Sequence, residues 1–103
     1  MIALVEQHRP EIDQLCRRYG VRRLELFGSA ASGRFDPASS DLDFLVEFAA
    51  GPSARWRDYF DLLHALEDLL GRRVDLVETR AIRNPWFLEV VNRHRDVLYD
   101  TAA

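Results

Sequence analysis

Two aspartates, Asp41 and Asp43, stand two positions apart in the stretch SDLDFLVEF. On a strand, side chains two apart project from the same face. Two carboxylates on one face repel each other and lose hydration as they are buried, so the pair asks for a cation. Oxygen donors of this kind suit a hard divalent ion, with Mg²⁺ as the default. An isolated D-x-D can also be a pair of solvated acids on an edge strand, or Asp41 can cap a turn with Ser39 and Ser40. Leu42, Phe44 and Val46 on the back face favour a central strand instead.

Upstream lies FGSAASG, in which a strand-like run ends at Gly28 and Ser29 opens a short helical stretch reaching about Gly33. Glycine lets the backbone approach a ligand closely, and the free N–H groups of a helix start favour an anion, so the turn reads as a small phosphate cradle. A glycine-serine turn is equally an ordinary helix cap. Downstream, Asp75 in RVDLVE supplies a third acid, on a strand able to pair beside the one bearing Asp41 and Asp43. An acid on a short strand is more often turned to solvent, and the arrangement alone raises its interest. Three carboxylates on neighbouring strands are the usual protein part of a two-metal phosphoryl-transfer site.

The elements that must position these groups follow from periodicity. Ile12, Leu15, Cys16 and Tyr19 have helical spacing, with Pro10 tolerated at the start and Gly20 as a stop. Residues 2–8 form at most an earlier turn, since Pro10 interrupts continuity. VRRLELF reads as a strand, FDPASS as a loop, and Asp41 to Phe48 as a second strand. Residues 54–70 carry Trp56, Phe60, Leu63, Leu66 and Leu70 at helical spacing, closed by Gly71. After the third strand, RVDLVE, the pair Asn84-Pro85 opens a last helix expected to reach about Tyr99. The resulting order predicts an α/β (α+β) chain: a small mixed three-stranded sheet with flanking helices.

The chain has 103 residues, 48% of them apolar and 30% charged, and one folded domain over residues 1–103 is expected. Its net charge of −3 argues against a general nucleic-acid-binding surface. No apolar run approaches the ~20 residues of a membrane span, and Glu6 comes too early for a secretory signal, so a cytoplasmic location with no membrane contact is expected. Cys16 is the single cysteine and reads as a core thiol. All 14 basic residues are arginine, which excludes a lysine Schiff base or a P-loop lysine. His8, His64 and His94 share no ligand spacing, and Ser29 and Ser32 lack a histidine neighbour, so neither a zinc site nor a serine hydrolase is proposed. Trp56, Tyr59, Trp86 and Phe87 read as core and hydrophobic-staple residues, with a partner-binding face as the alternative.

Gly28-Ser29, Gly33, then Ser40-Asp41-Leu42-Asp43 leading into FLVEF, and VDLV around Asp75, together resemble the G-S-x(n)-S-D-x-D pattern of the DNA polymerase β-like nucleotidyltransferase superfamily. Length and element order resemble its smallest branch, the minimal nucleotidyltransferases or MNT domains. The resemblance implies a polymerase β-like core, ATP held at Gly28, Ser29, Gly33 and Ser40, and Mg²⁺, two ions, at Asp41, Asp43 and Asp75. It further implies transfer of AMP from ATP with loss of pyrophosphate, Asp75 serving as base for the attacking hydroxyl. Many MNT domains are antitoxins that bind a HEPN-domain ribonuclease toxin and AMPylate it on a tyrosine. One position departs from the pattern. The common turn is G-S-x-A-R-G, and Ser32 stands where it has arginine; Arg34, two residues on, is the cation placed to serve the same phosphates. Three functions therefore compete: an adenylyltransferase antitoxin, alone or in a homo- or hetero-oligomer; a binding antitoxin that masks its partner; and a regulatory nucleotide-binding domain.

Overall fold

A computed structural model of the chain describes residues 2–33, 36, 41–50, 56–79 and 84–101. Two short helices open it, α1 over Ala3–Gln7 and α2 over Arg9–Arg18. They part at His8, whose backbone (φ −110°, ψ 14°) leaves helical geometry. Pro10 lies in the first turn of α2 and has no N–H to continue the ladder from α1. The His8 ring closes the break with a 2.8 Å hydrogen bond to the Leu4 carbonyl. Gly20, at φ +71°, then turns the chain into β1, Val21–Phe27.

A single helical turn, α3 over Ser29–Ser32, follows β1. Strand β2 covers Leu42–Phe48, helix α4 covers Trp56–Leu70 and strand β3 covers Val74–Glu78. Helix α5 spans Pro85–Arg93, with the Asn84 side chain accepting a 2.9 Å hydrogen bond from the Trp86 N–H, the cap that Asn84-Pro85 predicts. The chain then enters β4, Arg95–Asp100.

The strands form one mixed sheet in the order β3-β2-β1-β4. Strand β1 runs antiparallel to both β2 and β4, and β2 runs parallel to β3 through the α4 crossover. Among the described residues four strands therefore replace the expected three, and the last helix stops at Arg93 rather than near Tyr99. The reason is tertiary. Without β4 the far edge of β1 would carry unpaired backbone groups, and pairing Arg95–Asp100 along it satisfies them and buries Leu98.

One face of the sheet holds the main core. Leu24, Leu26, Leu42, Phe44, Val46 and Leu76 pack there with Val5, Ile12 and Cys16 from α1 and α2 and with Leu62, Leu66 and Leu70 from α4. Burial pushes the Cys16 thiol up to about 12, with Asp13 adding to it, in keeping with an inert core sulfur. Of the stripe expected on α4, Leu63, Leu66 and Leu70 do meet the core, joined by Tyr59 and Leu62, whereas Trp56 and Phe60 stay exposed. Trp86 of α5 likewise stays in solvent, which corrects the reading of Trp56 and Trp86 as core residues. On the opposite face Phe27 and Leu45 meet Val91 of α5, with Val77 beside them. No helix among the described residues is long and apolar enough to cross a membrane.

Candidate active site

The site is built where β1 ends and β2 and β3 begin. Phe27, the last residue of β1, pairs with Asp43, and Asp43 in turn pairs with Asp75 on the parallel neighbour. Cross-strand partners share a face, so the two carboxylates project side by side from the sheet. Asp41 lies exposed just ahead of β2. Asp43 is half-buried, and its carboxyl is pushed up to about 6 by burial, then by the charges of Asp75 and Asp41. The repulsion expected of the acids is thus expressed at Asp43.

Gly28 closes the other wall. It adopts φ 70°, ψ −146°, and a Cβ placed there would lie 2.4 Å from Asp43 Oδ2. Any side chain would need both a disfavoured backbone and the space that the carboxylate fills. The glycine therefore brings the turn against the acid. From Gly28 the chain winds into α3, with the Ala31 and Ser32 N–H groups both donating to the Gly28 carbonyl at 3.1 and 3.0 Å. Ala30 anchors the turn in the core, and Gly33 ends it in the left-handed region at φ +83°. Ser32, at the position of the missing arginine, donates from its hydroxyl to the Ser29 carbonyl at 3.3 Å.

Gly28, Ser29, Gly33, Asp41, Asp43 and Asp75 lie along the β1–α3 turn and the starts of β2 and β3. Arg34 and Ser40 fall outside the described residues, as does most of the FDPASS loop. Among the described residues no three His, Cys, Asp or Glu side chains close into a metal cage by themselves. The donor set nonetheless fits Mg²⁺, which ordinarily takes one or two carboxylates and completes its shell with water and substrate phosphates. An all-oxygen pair in which burial, then the charges of Asp75 and Asp41, disfavour the Asp43 carboxylate has the electrostatics such an ion relieves.

Two neighbours of the site carry no short-range sequence signal. The Tyr59 hydroxyl donates to the carbonyl of Leu76, one residue past Asp75, and burial, then Asp75 and Glu78, push its phenol up. Glu25 is 3% exposed, the buried charge on β1, two residues ahead of Phe27. Arg23 reaches its Oε1 at 2.8 Å and Arg95 grips its Oε2, while Arg23 also binds Asp100 at 2.6 Å and Arg95 binds Asn92 at 2.5 Å. Burial pushes the Glu25 carboxyl up, but hydrogen bonds from Arg95 and Arg23 outweigh it and hold it below the ordinary carboxylate value. The network ties β4 and the end of α5 to β1.

A mixed sheet whose first strand ends in a glycine turn, with a parallel β2-α4-β3 unit beside it and helices on both faces, is the architecture of a minimal nucleotidyltransferase. The chain belongs to the nucleotidyltransferase domain family, whose pattern it matches over residues 11–99. It is 35% identical over 82 residues to the protein adenylyltransferase MntA of Thermococcus cleftensis, covering 80% of this chain and 77% of that one. Among solved structures, a candidate minimal nucleotidyltransferase superposes with a TM-score of 0.74 at 38% identity, over 91% of this chain and 94% of the other. A toxin–antitoxin complex with AMP-PNP matches with a TM-score of 0.66 at 28% identity, over 90% of this chain and 73% of that chain.

Proposed function

We propose that this chain is a protein adenylyltransferase that moves AMP from ATP to a tyrosine of a HEPN-domain toxin and so acts as its antitoxin. The observation that carries the reading is the register of Asp43 beside Asp75, with Gly28 pressed against Asp43. Similarity to an adenylyltransferase and to a toxin–antitoxin complex with a nucleotide analogue supports the substrate and partner classes. The working unit is residues 1–103 as one domain, acting in the cytoplasm without direct nucleic-acid contact.

In this reading Gly28, Ser29 and Gly33 hold the triphosphate, together with Arg34 and Ser40. Asp41, Asp43 and Asp75 hold Mg²⁺, two ions by the family resemblance. Bound there, Mg²⁺ neutralises the acids and the charge that develops on the departing pyrophosphate. Asp75 accepts the proton of the tyrosine hydroxyl as its oxygen attacks the α-phosphorus. A new P–O bond forms to the tyrosine, the bond to the bridging oxygen of the β-phosphate breaks, and pyrophosphate leaves. Asp75 suits the role of base because it is the exposed member of the Asp43–Asp75 pair, open to an incoming hydroxyl.

Incubation with labelled ATP, GTP, CTP or UTP, Mg²⁺ and the HEPN-domain protein encoded beside it, followed by mass spectrometry of both chains, tests this. One AMP added to a partner tyrosine is the expected result; an unmodified partner with all four nucleotides refutes it. Ser32, in place of arginine and with its hydroxyl turned to the Ser29 carbonyl, favours a second reading in which the chain masks its partner without chemistry. Asp43→Asn separates the two. Loss of neutralisation together with label transfer supports catalysis, whereas full neutralisation by the variant supports masking.

A further inference from the structure

Strand β3, which carries Asp75, ends the sheet order, with β2 as its neighbour on one side. A strand paired on one side loosens most easily, and a slip of one residue would turn Asp75 from the Asp43 face to the core face. The residues flanking Asp75 are nevertheless held from outside as well. The Leu42 N–H donates to the Arg73 carbonyl at 3.1 Å, which turns the backbone groups of Arg73 and, by the alternation of a strand, those of Asp75 toward β2. Those of Val74 and Leu76 therefore face the outer edge. There α4 meets them: the Glu67 carboxylate accepts from the Val74 N–H at 3.1 Å, and the Tyr59 hydroxyl donates to the Leu76 carbonyl.

Packing and alignment are separable here. The side chains of Val74 and Leu76 are buried in the main core, where Leu62 and Leu66 also seat α4, so β3 keeps its place by apolar contact. Asp75, exposed between them, makes no such contact. Its direction depends on the backbone it stands on, and that backbone is fixed by β2 on one side and by Glu67 and Tyr59 on the other. Tyr59 is itself held, partly buried against the core and with its ring edge-on to Phe60 at 5.1 Å between centroids. A base must meet its proton at hydrogen-bond distance, and a misplacement of about 1 Å can cost ~100-fold in rate.

We infer that Tyr59 and Glu67 are positioning residues: by gripping the backbone on either side of Asp75, they hold its carboxylate beside Asp43, in line to accept the proton of the attacking hydroxyl. The inference rests on the proposed transfer, in which Asp75 is the base, and adds two residues of α4 to a site otherwise built from the β1–α3 turn and the starts of β2 and β3. Both act through the backbone of β3, and neither needs to touch the substrate.

The test uses the full chain with the HEPN-domain protein encoded beside it. Tyr59→Phe removes the hydroxyl alone, Glu67→Ala removes the acceptor, and Glu67→Gln restores an acceptor oxygen without the charge. Leu62→Val, which trims the buried core of the same helix, controls for general loosening. Tyr59→Phe and Glu67→Ala are expected to lower kcat for label transfer about fivefold or more, with KM for the partner within about twofold. Glu67→Gln recovers most of that loss. Amide hydrogen exchange at Asp75 and Val77, measured without nucleotide, should quicken about tenfold in Tyr59→Phe and Glu67→Ala while β1 exchanges as in the wild type. Unchanged kcat in both, a rise in KM alone, no recovery in Glu67→Gln, an equal fall of kcat in Leu62→Val, or unchanged exchange on β3 each overturns the inference. A wild-type chain that transfers no label refutes the transfer reading, and the exchange comparison then still decides whether the two side chains hold Asp75 in place.

Discussion

At the scale of single residues, the site depends on a contact between backbone and carboxylate. Gly28 has φ +70°, and its missing Cβ would sit 2.4 Å from Asp43 Oδ2. Gly28→Ala must bear the left-handed backbone, about 1–2 kcal/mol, and also displace Asp43. We expect a loss of about 2–3 kcal/mol in urea denaturation together with loss of nucleotide transfer. Gly33→Ala, strained in φ but with open space around its Cβ, should cost only the backbone share. Asp43 itself predicts a pH signature. Its carboxyl, raised from 3.8 to about 6, binds its proton more tightly folded than unfolded. Its stabilising share is therefore complete below pH 3.8 and is lost as the pH rises to about 6. Asp43→Asn should match the wild type near pH 3.5 and exceed it near pH 7 by about 1–2 kcal/mol, half the full conversion because the group is half-exposed. Denaturant titrations of both proteins across that range check the crossing.

At the scale of elements, β1 carries the load on both sides. One face of the strand feeds Leu24 and Leu26 to the core, and the other presents Glu25 and Phe27. Glu25 has the opposite pH behaviour to Asp43: its pKa is held below 4.5, so its contribution is present above that value and is lost as the pH falls. Glu25→Gln leaves Arg23 and Arg95 converging on a neutral amide. Both arginines keep contact with water, so the expected cost is about 2 kcal/mol at neutral pH, less than a fully buried pair would show. Added salt should shrink the difference, and denaturant midpoints with and without 0.5 M NaCl, roughly a twofold cut in screening length from physiological strength, measure it. The free edge of β3 shows how elements shield one another. Tyr59 of α4 donates to the Leu76 carbonyl, and Glu67 of the same helix accepts from the Val74 N–H at 3.1 Å. Backbone groups on that edge thus find partners in the crossover helix.

At the scale of the whole molecule, the β1–α3 turn, β2 and β3 converge on a single place, so a ligand bound there stabilises all three. Mg²⁺ with AMP-PNP at about 100 times its Kd should add ~2.7 kcal/mol, which for a domain of this size raises the thermal midpoint by roughly 10–20 °C. Asp43→Asn should remove most of that rise. A midpoint that does not move with Mg²⁺-AMP-PNP would contradict the nucleotide site.

The sequence by itself determined the parts whose information is local. Alternation in LDFLVEF set Asp43 against its apolar neighbours, helical spacing marked α2 and α4, Asn84-Pro85 marked the start of α5, and Gly28 marked the turn. Each depends on residues at most a few positions apart, where side-chain type and backbone preference act directly. Tertiary structure decided what depends on register and on distant partners. Arg95–Asp100 became a strand because β1 offered an unpaired edge, although the apolar run Val97-Leu98-Tyr99 could equally extend a helix. Glu25 became buried because Arg95, 70 residues away, arrived to hold it. Asp43 met Asp75 through the parallel register of β2 and β3, and Trp86 stayed in solvent because Val91 took the place against the sheet. None of these follows from spacing along the chain, because each depends on which surfaces the folded sheet leaves open.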